Sequence, residues 1–263
     1  MARSAAPPLL AEIRRAFARE GDPERGKAMQ AYMKSAMPFH GVPAPRMRAI
    51  CKEVLRAHEV KDAARWRSDV LSLWRGASFR EELYAAIELA SDRRARPFHT
   101  MDALPMFEEM IVSGAWWDLV DTIATHHLSA ILASDPKPMR RTMLEWSRDA
   151  NMWKRRSAIL CQLPFKAKTD LALLYACIEP SLASREFFLR KAIGWALRSY
   201  AWTDPEEIAR WVDTNRARLS PLSVREALKN AGKSAAKTAA TSAAKKTAKP
   251  KARTTSSPGR ARR

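Results

Sequence analysis

Glycine is scarce, with eight in 263 residues, and strand-like alternation is scarcer, which excludes a sheet-based fold. Cysteine is scarcer still. Cys51, Cys161 and Cys177 lie in apolar helical stretches, with no CxxC pair and no Cys/His cluster. They read as buried free thiols in a reduced, intracellular chain. His40, His58, His99, His126 and His127 have no ligand spacing, so no metal site is expected. No apolar run approaches the roughly 20 residues of a membrane helix. The first twenty-odd residues carry arginines, but Glu12, Glu20 and Asp22 argue against a transit peptide, and a signal-peptide core is missing.

Acidic residues are also in deficit. Lys and Arg number 47 against 28 Asp and Glu, a formal net charge of +19. From Lys233 onward there are ten basic residues and no acidic one, leaving +9 on residues 1–232. The body of the chain is basic without its tail, and nucleic acid is the commonest polyanion such a surface meets. Residues 233–263 hold Lys in an Ala/Thr/Pro context, with no aromatic or large aliphatic residue. They cannot offset the entropy of ordering and read as a disordered, histone-H1-like tail. Such a tail adds counterion-release affinity without sequence choice.

What the chain does have is apolar residues recurring at three and four. Leu10, Ile13 and Phe17 form one stripe; Met47, Ile50, Cys51, Val54 and Leu55 another; Trp66, Val70 and Trp74 a third, ended by Gly76. Ser78 with Glu81 reads as a capping box. Gly114 separates one helix from the next near Trp116, and Asp135-Pro136 opens another. Further helices are expected over about 151–162, 169–178, 185–200, 205–212 and 221–231. About a dozen short helices with short links imply antiparallel neighbours. The helix-pair length of roughly 35–45 residues is that of HEAT or armadillo-type repeats. The expected fold is all-α: a HEAT-like, ARM-type α-α superhelix over residues 1–231, with the tail over 232–263.

One segment stands out for chemistry, Ala115-Trp-Trp-Asp-Leu-Val-Asp121. Trp117 and Asp121 are four apart and share a helix face. The plain alternative is that Trp117 is core and Asp121 a cap or the partner of a basic neighbour. Arg156 follows Trp117 by 39 residues, and Trp195 follows Arg156 by 39, close to one repeat length, which would line all three along one face. Gly194, inside a helix, costs about 1 kcal/mol relative to alanine and suggests close approach of another backbone.

At these residues the chain resembles the AlkD-like DNA alkylation repair glycosylases, over almost all of residues 9–231. The resemblance runs through Tyr32-Met-Lys with Pro38-Phe39 and Gly41, then Trp116-Trp-Asp-Leu-Val-Asp121. It continues through Asn151-x-Trp153-x-x-Arg156, Lys191-Ala-Ile-Gly-Trp-x-Leu-Arg198 and Pro221-Leu-Ser-x-Arg225-Glu-Ala227. It implies a HEAT-like solenoid with a concave DNA-binding face. The implied activity is monofunctional hydrolysis of the N-glycosidic bond of cationic alkylpurines, chiefly 7-alkylguanine and 3-alkyladenine, without enclosing the base. Asp121 matches the catalytic carboxylate, and Trp117 and Trp195 the cleft tryptophans. Arg156 matches the backbone-contacting arginine and Tyr32 a tyrosine near the DNA. Lys191 and Arg198 complete the expected DNA contacts.

The chemistry fits these side chains. An N7-alkylated guanine is already cationic and leaves as a neutral base, so no general acid is needed. An oxocarbenium-like sugar remains for a carboxylate to stabilise. No cofactor is expected, and no lysine suggests a Schiff-base step. The expected partner is double-stranded DNA containing alkylated purines, bound by a monomer with no membrane role, in a bacterial-type cytoplasm at the nucleoid. Two other readings compete. One is a non-catalytic HEAT-repeat protein that binds branched or damaged DNA; the other is a protein-interaction scaffold, whose binding would depend little on salt.

Overall fold

The structure, a computed structural model, describes residues 8–229. The tail expected over 232–263 lies outside them. Fourteen α-helices and no strand occupy the described residues. The first five are α1 (Pro8–Glu20), α2 (Pro23–Met33), α3 (Ala44–Ala57), α4 (Ala63–Gly76) and α5 (Arg80–Ala90). The middle of the chain forms α6 (Leu104–Gly114), α7 (Trp117–Thr122), α8 (Ser129–Ser134), α9 (Pro136–Trp146) and α10 (Met152–Leu160). Then come α11 (Leu171–Ile178), α12 (Phe187–Tyr200), α13 (Pro205–Thr214) and α14 (Pro221–Leu228). The all-α, solenoid-like class expected from the periodicity is what forms.

Side-chain caps start many of these helices. The carboxylate of Asp22 accepts from the backbone N–H groups of Glu24 and Arg25, that of Asp62 from Arg65, and that of Asp204 from Glu207. Proline supplies the first turn of α2, α9, α13 and α14, where no amide donor is needed. Each helix then buries one stripe. Leu10, Ile13 and Phe17 of α1 meet Met47, Ile50 and Cys51 of α3 and Trp66 and Val70 of α4 in one core, which runs on through α6 to α11. A second core joins α10 and α11 to α12, α13 and α14. The three cysteines are buried and free.

Tertiary hydrogen bonds recur about one helix pair apart in sequence. The Trp74 indole donates to the Ser113 hydroxyl, 39 residues on, at 2.9 Å. Ser134 donates to the carbonyl of His99, 35 residues back, and Tyr175 to Glu207, 32 residues on.

The start of α5 departs from expectation. The side chain that reaches back is Glu82, not Glu81: its carboxylate accepts from the amide of Ser78 at 2.7 Å and also takes Arg14 and the His40 ring. The helix begins at Arg80, two residues after Ser78, so the position that reaches back shifts by one. Arg14, His40 and the Ser78 amide outweigh the cost of burial and hold the Glu82 carboxyl down at about 2. Glu81 is buried and accepts from the amides of His40, Gly41 and Val42, closing the segment before α3 onto α5. Gly41 has φ of +82°, and a Cβ there would stand 2.1 Å from the Asp22 carbonyl oxygen, so only glycine fits.

A further departure follows α7. Residues Ile123–Leu128 form one π-helical turn, in which the Ser129 amide bonds back to the carbonyl of Ala124. The turn holds His127 inside, stacked on Phe107 and His99, with His99 Nε2 and His127 Nδ1 2.9 Å apart. His99 Nδ1 lies 3.0 Å from the Ala95 carbonyl, which assigns it a proton. Burial pushes both imidazoles below their ordinary value, His127 most strongly. The unfolded chain therefore binds more protons than the native one below about pH 6.5. Stability should be complete above that pH and fall as pH drops below it, by up to about 1.4 kcal/mol per pH unit for each imidazole. Melting temperatures of wild type and His127→Phe between pH 5 and 8 check this. The variant should show the shallower slope in the acid range.

Candidate active site

The site is built on α7, a helix of six residues. Ala115, left-handed at φ +39°, ends α6 and turns the chain into an extended Trp116. The Trp116 ring packs inward on Phe188 and Trp153, with centroids 5.4 and 6.2 Å away. Trp117, one residue on, is 38% exposed. Consecutive residues of a helix point in different directions, which is why adjacent tryptophans divide into one packed and one open ring.

Two carboxylates fasten α7 to its neighbours. Asp118 accepts from Arg80 Nη2 and from the Tyr84 hydroxyl, each at 2.5 Å. Asp121, one turn above Trp117, accepts a two-pronged pair of bonds from Arg156, Nε to Oδ1 at 2.6 Å and Nη2 to Oδ2 at 2.7 Å. Arg156 Nη1 donates to the carbonyl of Phe188, and the guanidinium lies over the Phe188 ring, 5.8 Å from its centre. The motif Asn151-x-Trp153-x-x-Arg156 thus has a physical reading. The Asn151 side chain caps α10, Trp153 packs against Trp116 and Phe188, and Arg156 forks onto Asp121. Arg156 was expected on a phosphate; here it is 4% exposed and turned toward the carboxylate.

Burial pushes the Asp121 carboxyl up. The hydrogen bonds and charge of Arg156 pull it back, and the Asp118 carboxylate pushes in the same direction as burial, so the net shift is upward. The side chain keeps 13% of its exposure, beside the open Trp117 ring. Each carboxylate oxygen has a second lone pair beyond the one Arg156 occupies.

The remaining expected residues lie on other helices. Phe188, Lys191, Trp195 and Arg198 follow at three, seven and ten residues, one face of α12. Trp195 is half-buried against the second core. Lys191 and Arg198 both bind Glu226 of α14, at 3.0 and 2.5 Å. That pairing requires Gly194, where a Cβ would stand 2.4 Å from the Glu226 Cβ, so the expected close approach is that of α14. Tyr32, near the end of α2, is 81% exposed. The residues that sequence reasoning passed over are Arg80, Tyr84 and Asp118, which hold α7 from the α5 side, and the exposed Phe187 next to Phe188. Among the described residues no group of three His, Cys, Asp or Glu is placed to hold a metal ion, and no helix is long and apolar enough to cross a membrane.

The site is thus a buried carboxylate–guanidinium pair on the same short helix as the open Trp117 ring, set in an all-α array. Comparison with known proteins makes this specific. The family described as DNA alkylation repair enzyme matches residues 13–231, and the chain belongs to that family. A solved structure described as a predicted DNA alkylation repair enzyme from Enterococcus faecalis is similar at 30% identity and a TM-score of 0.72, covering 80% of this chain and 95% of that one. No curated protein matches. The chain thus has a role in DNA repair, with DNA as its substrate.

Proposed function

We propose that the chain is a monofunctional DNA glycosylase, which hydrolyses the N-glycosidic bond of cationic alkylpurines, 7-alkylguanine and 3-alkyladenine, in duplex DNA. It acts as a monomer, without metal or organic cofactor and without enclosing the base. The observation that carries this reading is the Asp121 carboxylate, gripped by Arg156 and flanked by the exposed Trp117.

The alkylated base is cationic before the reaction starts. As the C1′–N bond breaks, its electron pair passes to the base, which leaves neutral, and positive charge appears on the sugar. Asp121 stabilises that charge and orients the water whose oxygen attacks C1′; the water's proton passes to solvent. Arg156 holds the carboxylate in place and, being fixed by Phe188, keeps it from turning away. Trp117 and Trp195 offer π-faces to the cationic sugar, worth about 1–2 kcal/mol each. Tyr32, Lys191 and Arg198 supply contacts to the DNA backbone, and the tail over 232–263 adds salt-sensitive affinity.

A second reading draws on the same pair. If the forked bond to Arg156 is Asp121's whole purpose, the chain is a non-catalytic binder of branched or damaged DNA. Incubation of the full chain with methylated duplex separates the two. The glycosylase releases free 7-methylguanine and leaves strands that break only on later treatment with alkali. Tight, salt-sensitive binding with no base released selects the binder, and salt-insensitive binding selects a protein scaffold.

A further inference from the structure

A second cleft opens between the turn after α2, the C-terminal ends of α4 and α6, and the start of α5. Its volume is about 530 Å³, and its lining includes Lys34, Trp74, Arg75, Arg80, Glu109 and Trp116. Among the described residues, three buried side-chain polar atoms lack a hydrogen-bond partner: Arg80 Nε, Trp116 Nε1 and Ser157 Oγ. Two of the three belong to residues that line this cleft, and both are N–H donors. A buried donor without a partner is rare and asks for an acceptor atom.

The charges agree with the donors. Three cationic side chains and one carboxylate line the cleft. Glu109 is taken by Arg75, through bonds of 2.5 and 2.6 Å, and Arg80 gives Nη2 to Asp118. Lys34 stands exposed with its charge uncommitted. The half-buried indole of Trp116 supplies a flat apolar wall.

We propose that this cleft binds a nucleotide, with phosphate oxygens on the Arg80 and Trp116 donors under the charge of Lys34 and the planar base against the apolar side of the cleft at Trp116. A bare phosphate would leave most of the volume and the Trp116 ring unused. Two sources carry this chemistry: a free deoxynucleotide, and a nucleotide of a DNA strand held beside α7. The site rests on residues other than Asp121 and does not require that Asp121 be catalytic. It is nonetheless joined to the active site, because Asp118, the partner of Arg80, lies three residues before Asp121 on the same helix.

The test is calorimetric titration of the full chain, as wild type, Trp116→Phe and Lys34→Ala, with deoxyguanosine monophosphate, inorganic phosphate and an unmodified duplex. Trp116→Phe keeps a ring against Trp153 and Phe188 and removes the N–H. Lys34→Ala alters an exposed side chain and guards against a folding defect in the first variant. Wild type should bind the nucleotide more tightly than inorganic phosphate, and each variant should weaken it about tenfold. If the free nucleotide does not bind but both variants weaken the duplex about tenfold, the occupant is a nucleotide of DNA and the proposal holds in that form. Nucleotide binding that neither variant weakens overturns it. So does the absence of nucleotide binding together with unchanged duplex affinity in both variants. No base release enters these readouts, so the outcome is independent of whether the chain is a glycosylase.

Discussion

Asp121→Asn is expected to slow base release from alkylated duplex about a thousandfold while leaving duplex affinity within a few-fold of wild type. The size follows from electrostatics. Opposite charges about 4 Å apart at an effective dielectric near 20 attract by about 4 kcal/mol, and an interaction present only in the transition state converts to about three powers of ten in rate. The substitution keeps the shape of the side chain and removes its charge. It also leaves Arg156 with one good acceptor in place of two, so some loss of stability accompanies the loss of rate. Single-turnover rates at saturating protein separate the two effects, since affinity then drops out. Wild-type rates in Asp121→Asn would reduce the carboxylate to a structural partner of Arg156.

The second large effect belongs to Arg156. Its guanidinium is what pulls the Asp121 carboxyl down against burial and against Asp118. Arg156→Gln leaves only the two influences that push the carboxyl up. Catalysis needs the ionised form, so the rate of wild type should fall as pH drops through the raised value of Asp121. In Arg156→Gln that acid limb should move to higher pH. At neutral pH the variant should be slow, and raising the pH should restore part of its rate. It should also be less stable by about 3 kcal/mol, because breaking a buried pair leaves an unpartnered charge. Arg156→Lys, which keeps the charge without the fork, should fall between the two. A pure phosphate contact would behave differently: its loss would weaken DNA binding and leave the pH profile where it was.

Much of this site was legible in the sequence, and the limits have physical causes. The four-residue spacing of Trp117 and Asp121 places them on one face of any helix, which needed no tertiary knowledge. Arg156 was marked by the motif it ends, yet its partner depends on how α10 crosses α7, which no local pattern records. The same holds for Arg80 and Asp118, 38 residues apart, and for His99 and His127, 28 apart. Ser78 and Glu81 have the right spacing for a capping box, but the true helix start moves the role to Glu82, and a shift of one residue lies within what sequence signals resolve. The π-helical turn over Ile123–Leu128 was invisible, because its apolar residues also fit an uninterrupted α-helix. Gly194 was read correctly: a glycine in mid-helix signalled close packing, and α14 is what packs there.

The central claim is that Asp121 faces a developing sugar cation. It is tested most directly with two duplexes that differ at one position, one carrying a cationic pyrrolidine in place of the sugar and the other its neutral tetrahydrofuran counterpart. Complementarity to the transition state predicts that wild type binds the cationic duplex at least about a hundredfold more tightly than the neutral one. Asp121→Asn should lose that preference while binding the neutral duplex as wild type does. Equal affinity of wild type for the two duplexes, or a preference that survives in Asp121→Asn, would contradict the account.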